Sequence, residues 1–299
     1  MMQVTSRTIE YPGGQGRSLQ ADLYLPSGKG PHPLVVGVSG GGWVRGHRRA
    51  LGDWGCWLAA RGLAFASIDY QRVEDGPAWP QNLQDVAAGL TFLSANAATL
   101  GLDPARIAVL GVSAGAHLAA LALLSRDVPT PPVAGFAGIY GVYDLMSHWQ
   151  ADLWRNAAPG TDKTEAMLGA APFDDPQRFH DASPLRQITF GAAMPVLLVW
   201  GGADTEVSPR QSEDFAQALT QARFPVRSMK LPDAGHMWFS EDGPEVADSH
   251  SARTAPHLLR FLTSVLGQGA FEQPQHPGDG EEAAPVMRDE QLSREETNV

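Results

Sequence analysis

Short apolar runs bounded by glycine alternate along the chain with stretches whose apolar residues recur every three or four positions. Leu34–Val38 (LVVGV), LAFASIDY at 63–70, Ile107–Leu110 and MPVLLVW at 194–200 show little or no polar face, as strands buried on both sides of a parallel sheet do. Between them, Asp53–Arg61, Pro80–Leu100 (apolar at Leu83, Val86, Leu90 and Leu93) and Ser208–Ala222 have helical spacing, and Ala116–Leu124 is so apolar that its helix must be buried all round. Val133–Tyr143 predicts a further strand and loop, VRSMKL at 226–231 the last strand, and Ala255–Leu266 the closing helix. Val4–Glu10 and Leu19–Leu25 alternate around YPGGQGRS and predict an antiparallel hairpin at the sheet edge. The alternation of strand and helix predicts one α/β domain over residues 1–266, a doubly wound, mostly parallel sheet flanked by helices.

Two stretches break the pattern. Residues 144–190 mix polar and apolar positions, carry four prolines and show no strand signal, which predicts a small cap inserted above the strand ends. From 267 to 299 the chain is rich in Gly, Pro, Glu and Gln, and eight acids face only Arg288 and Arg294. Such a tail has too little apolar area to offset chain entropy and is expected to be disordered.

Composition narrows the class. With 299 residues, 43% of them hydrophobic, the chain can bury a substantial core. A net charge of −11 argues against nucleic acid or an anionic membrane as partner, and no stretch approaches the roughly 18 apolar residues of a membrane span. The N-terminus has no basic segment followed by an apolar run, so a soluble, cytoplasmic protein is expected, with a homo-oligomer allowed. The single cysteine, Cys56, excludes an intramolecular disulfide; beside Trp54, Trp57 and Leu58 it reads as a buried structural thiol. No pair of histidines has metal-ligand spacing with a carboxylate, so no metal site is expected.

The candidate chemistry lies in the loops after the predicted strands. Gly111, Val112, Ser113, Ala114 and Gly115 form GxSxG between a strand and an apolar helix, the context of a strained turn that presents a serine nucleophile. Three glycines in SGGGW (39–43), directly after a strand, let main-chain amides approach a ligand and stabilise an oxyanion. A serine needs a base held by a carboxylate. Asp204, just past the strand ending at Trp200, and His236, in the loop after the last strand, follow Ser113 in the order serine, acid, histidine. Glu206 competes with Asp204 but lies further from the glycine turn, and Asp233 is expected to shape the histidine loop. His117, four residues into the buried helix, reads as a hydrogen-bonded core histidine, and the remaining seven histidines, His148 among them, lack a strand-end context.

These motifs, together with ASPL (182–185), PVLLVWGGADTEVSPRQS and AGHMW, resemble the α/β-hydrolase superfamily over about residues 15–266, and within it the hormone-sensitive-lipase-like and feruloyl-esterase-like bacterial carboxylesterases. The resemblance implies a cofactor-free Ser113–His236–Asp204 triad, an oxyanion hole from the amides of Gly41, Gly42 and Ala114, and hydrolysis of a small-molecule carboxylic ester through an acyl-enzyme. Trp43 and Trp238 are expected to line an apolar acyl pocket, with Trp79 and Trp149 as further candidates. An aryl formamide is the alternative substrate, and a non-catalytic binding protein on the same fold is the reading of a different class; the latter is expected to have lost a triad member. One position departs from the family: Ser39 stands where the glycine loop usually begins with histidine, so the loop is expected to lack a brace.

Overall fold

The computed structural model of the chain describes residues 3–267 apart from 75, 156–161 and 191–193, so the tail expected from 267 onward falls almost wholly outside the described residues. Eight strands form one sheet: β1 Thr5–Pro12, β2 Ser18–Leu25, β3 His32–Val38, β4 Ala64–Ile68, β5 Leu102–Val112, β6 Gly135–Ile139, β7 Val196–Gly201 and β8 Val226–Leu231, in the spatial order β1-β2-β4-β3-β5-β6-β7-β8. The β1–β2 hairpin pairs antiparallel onto β4, and every pair from β4 to β8 is parallel. The apolar runs that predicted strands are those buried on both faces: every residue of β4, β6 and β7, and the last five of β3.

Helices cover both faces. α1 (Gly52–Ala59) packs on β2 and β4, while α2 (Gln81–Ala95), followed by the short α3 (Ala97–Leu100), packs on α4 (Ala114–Leu124). The final α10 (His250–Gly267) lies across β3, β5 and β6 opposite α4. Ser249 starts α10 by accepting the N–H of Ala252 (3.0 Å), five residues before the predicted start and with Pro256 inside the helix. Cys56 is exposed rather than buried: Trp54, Trp57 and Leu58 turn one side of α1 to the core, and the cysteine falls on the other.

Residues between β6 and β7 carry α5 (Leu145–Arg155), α6 (Lys163–Leu168), α7 (Pro176–Asp181) and a 3-10 turn at Pro184–Gln187, and no strand among the described residues. Gln211, in α8 (Arg210–Gln221), ties this insertion to the body by accepting the N–H groups of Tyr143 (2.7 Å) and Asp144 (2.8 Å). A buried ion cluster anchors the other side, with Arg48 reaching Asp22 (2.9 Å) and Asp69 (2.7 Å). Among the described residues no helix is long and apolar enough to cross a membrane.

The topology decides where chemistry can occur. From β3 the chain moves to one side for β4, then crosses to the other for β5, so the loops leaving β3 and β5 part in opposite directions and open a crevice at their carboxyl ends. SGGGW leaves β3 at that point and Ser113 leaves β5 beside it.

Candidate active site

Ser113 has φ 53° and ψ −122°, a conformation costly for any residue with a Cβ and held because both flanks are over-determined. A Cβ on Gly115 would overlap the carbonyl oxygen of Val38, and one on Gly111 would strike Ala116, so only glycine lets strand and helix close around the turn. The Ser113 amide donates to the Ile139 carbonyl (2.9 Å), which fixes the turn to β6.

The serine hydroxyl lies 3.0 Å from His236 Nε2, and His236 Nδ1 lies 2.6 Å from Asp204 Oδ2. Asp204 is held by the turn after β7, where its Oδ1 accepts the N–H groups of Glu206 and Val207, both at 2.9 Å. Its carboxylate is 1% exposed and accepts only, so the imidazole carries its proton on Nδ1 and presents a bare Nε2 to the serine. Glu206 contributes its amide to Asp204 and borders the cavity. Asp233 is bonded to Arg253 (3.1 Å), which holds its carboxyl below the usual range.

Gly41, Gly42 and Ala114 border the same cavity, and their amides donate no hydrogen bond found among the described residues. Gly41 has φ +123°, and a Cβ there would overlap the Arg45 carbonyl oxygen, so the turn that presents these donors requires glycine. The brace that Ser39 does not supply comes from elsewhere. Tyr70 donates its hydroxyl proton to the Ser39 carbonyl (2.9 Å), Val73 its amide to the Trp43 carbonyl (2.9 Å), and Arg72 Nη1 donates to the Gly46 carbonyl (2.7 Å). The Trp43 indole N–H donates to His117 Nδ1 (3.1 Å), whose Nε2 lies 2.7 Å from the Ala182 carbonyl.

The cavity over Ser113 measures about 630 Å³, and its wall differs from the sequence expectation. It is mixed and carries charge: His148, Asp152, Asp162 and Lys163 come from the β6–β7 insertion and Glu206 from the turn after β7, beside the apolar Val142, Val207 and Met237. Trp43 borders the cavity as expected, and its indole is buried against His117 with ring centroids 5.2 Å apart. Trp238 does not line the cavity, a correction to its expected role; its ring stands edge-on to Tyr140 at 5.4 Å because the chain after His236 turns inward as the short helix α9 (Trp238–Glu241). Trp79 and Trp149 also lie outside it; the indole N–H of Trp149 donates to Glu165 (2.6 Å). His148, which nothing in the sequence singled out, is drawn in with Leu145 and Trp149 as the buried face of α5. Burial pushes both His117 and His148 down to about 4, and raises the Asp152 carboxyl and the Tyr140 phenol above their ordinary values.

Comparison with known proteins places this geometry in context. The BD-FAE family model matches residues 21–219, which includes Ser113 and Asp204 and stops short of His236. The chain is 34% identical over 248 residues to esterase LipC of Mycobacterium tuberculosis, covering 79% of this chain and 59% of that protein. It is 30% identical over 232 residues to the isoprenylcysteine alpha-carbonyl methylesterase ICME of Arabidopsis thaliana, covering 71% and 52% respectively. The chain thus spans little more than half the length of these curated relatives. Among solved structures, a bacterial heroin esterase superposes with a TM-score of 0.69 at 24% identity, covering 90% of this chain and 85% of that one. Carboxyl esterase 2 of the fungus Tuber melanosporum superposes with a TM-score of 0.72 at 23% identity, covering 88% of each. Both structural likenesses speak to the fold.

Proposed function

The chain belongs to the BD-FAE family of α/β-hydrolase carboxylesterases, and from that premise we propose that it hydrolyses carboxylic esters of small molecules through an acyl-enzyme on Ser113. The observation that carries the reading is the unbroken pair of hydrogen bonds from Ser113 through His236 to Asp204, bordering the same cavity as Gly41, Gly42 and Ala114.

Ser113 Oγ attacks the ester carbonyl carbon as its proton passes to His236 Nε2. Asp204 stays ionised and stabilises the imidazolium. The former carbonyl oxygen becomes anionic and is met by the amides of Gly41, Gly42 and Ala114, where each donor is worth on the order of 3 kcal/mol in the transition state. Collapse expels the alcohol, which takes the proton from His236. Water, deprotonated by the same imidazole, then cleaves the acyl-enzyme and releases the acid.

The charged wall favours short or polar acyl groups, since a long alkyl chain would strip water from Asp152, Lys163 and Glu206 without replacing it. The test is a series of p-nitrophenyl esters from acetate to octanoate, beside N-formylkynurenine and a feruloyl ester, with Ser113→Ala as control. Turnover is expected to be greatest on the shortest esters and to fall by at least about 10³-fold in Ser113→Ala. Ester turnover unchanged in that variant overturns the reading, and turnover confined to the formamide moves the substrate class.

A further inference from the structure

We propose that Trp43 and His117 are positioning residues for the oxyanion donors, joined in a hydrogen-bonded strut that spans the hole from one side to the other. The role rests on the ester-hydrolase reading above, but the strut itself is a matter of geometry. Two of the three candidate amides, Gly41 and Gly42, belong to the loop after β3, and the third, Ala114, opens helix α4. Trp43 is the next residue along the loop, and His117 lies one turn into α4. The bond from Trp43 Nε1–H to His117 Nδ1 therefore ties the two halves of the hole together beyond the end of the β3–β5 ladder at Val38 and Gly111.

Trp43 bears the marks of a residue held by its surroundings. Its φ is +60°, a conformation unfavourable for a bulky side chain that persists only where neighbours enforce it. The enforcing contacts are the indole bond, the amide of Val73 on its carbonyl, and the edge-on packing of its ring against His117 and, at 6.1 Å, His148. Ser39, at the start of the loop, is itself buried and accepts from Tyr70 through its carbonyl, so the Ser39 side chain is not the strut.

His117 serves only in one protonation state and one tautomer. Nδ1 must be bare to accept from the indole, so the ring hydrogen lies on Nε2 and is donated to the Ala182 carbonyl. A second proton would set the imidazolium against the indole N–H. The groups facing it are Trp43, the Ala182 carbonyl and the neutral His148, with no carboxylate bonded to it, and its burial keeps the ring neutral across the range in which esterases are assayed. Ala182 belongs to the β6–β7 insertion, so the same chain of bonds extends from the glycine loop through the nucleophile helix to the segment that walls the cavity.

The experiment compares wild type with Trp43→Phe, which keeps an aromatic ring and removes the donor, and with His117→Asn, which keeps an acceptor near the Nδ1 position. Amide hydrogen exchange is read at Gly41, Gly42 and Ala114, and turnover of p-nitrophenyl acetate is referred to active sites titrated with a phosphonate. In Trp43→Phe, exchange at the glycine loop is expected to accelerate about tenfold while the sheet is unchanged, and kcat to fall about tenfold with KM within about twofold, the effect of losing one buried hydrogen bond. His117→Asn is expected to lose less, and adding it to Trp43→Phe to cost nothing more, because both act through one bond. Exchange at the loop unchanged in Trp43→Phe overturns the strut whatever the activity. Faster exchange with kcat per titrated site unchanged leaves a merely structural bond and overturns the positioning role. Absence of Ser113-dependent turnover in wild type, with loop exchange still faster in the variant, refutes the hydrolase reading and keeps the strut.

Discussion

Two buried neutral histidines should make the protein acid-labile well above the range where carboxylates titrate. Burial takes His117 and His148 down to about 4 in the folded chain, against about 6.5 for an exposed imidazole. Between those values the unfolded chain binds more protons than the folded one, so stability rises with pH across the window. The contribution is complete above about pH 6.5 and is lost progressively as the pH falls toward 4. Integrating the two titrations from pH 7 to pH 5 gives a loss of about 2 kcal/mol for each ring, or about 4 kcal/mol for the pair. Asp103, held below its ordinary value by Arg106, loses its contribution only at lower pH, and the raised carboxyl of Asp152 acts in the opposite sense. Urea unfolding at pH 7, 6 and 5 measures the loss, at low protein concentration because the isoelectric point lies near 5.2. A loss below about 1 kcal/mol between pH 7 and 5, or imidazole resonances of both residues titrating near 6.5 in the folded protein, refutes the reasoning.

Further outcomes follow from single contacts. Asp204→Asn should lower ester turnover by roughly 10⁴-fold, because the amide no longer serves as a charged acceptor for His236 Nδ1–H, whereas Glu206→Gln should stay within about threefold since Glu206 reaches Asp204 through its main chain. Steady-state kinetics decide this, and the reverse ranking moves the acid to Glu206. Gly41→Ala should cost about 1–3 kcal/mol in urea unfolding and depress kcat more than KM, since its Cβ meets the Arg45 carbonyl and the donors shift. Arg48→Met should destabilise by about 3 kcal/mol by leaving the buried Asp22 without its cation and Asp69 with only Arg72 at 3.7 Å, read as a drop in the urea midpoint.

What was legible in the sequence is what a local pattern can encode. The glycine loop, the serine turn and Asp204 each follow an apolar run, His236 follows the half-polar last strand β8, and in a parallel sheet all these strands end on the same side. The wall of the cavity was not legible. Asp152, Asp162 and Lys163 reach it only because an insertion with no repeating pattern folds back over the strand ends, and they stand where Trp79, Trp149 and Trp238 were expected. Trp238 misled for the same reason: nearness along the chain to His236 does not say which way the next turn points. The partnership of Trp43 with His117 joins residues 74 positions apart, and neither carries a pattern that names the other. His117 was readable as a bonded core histidine, but its partners were not.

The acceptor at the far end of the strut is a main-chain oxygen, so substitution at Ala182 cannot delete it. Drift in the residues around the cavity is therefore free to retune the wall while this anchor persists, and it is lost only if the backbone itself is rerouted. The same fact sets a boundary for anyone exchanging the β6–β7 segment with that of a relative. A graft that ends before Phe179 keeps the Ala182 carbonyl where His117 meets it, and one that crosses that point must rebuild an acceptor at the same place or deliver a new pocket on an unsupported loop.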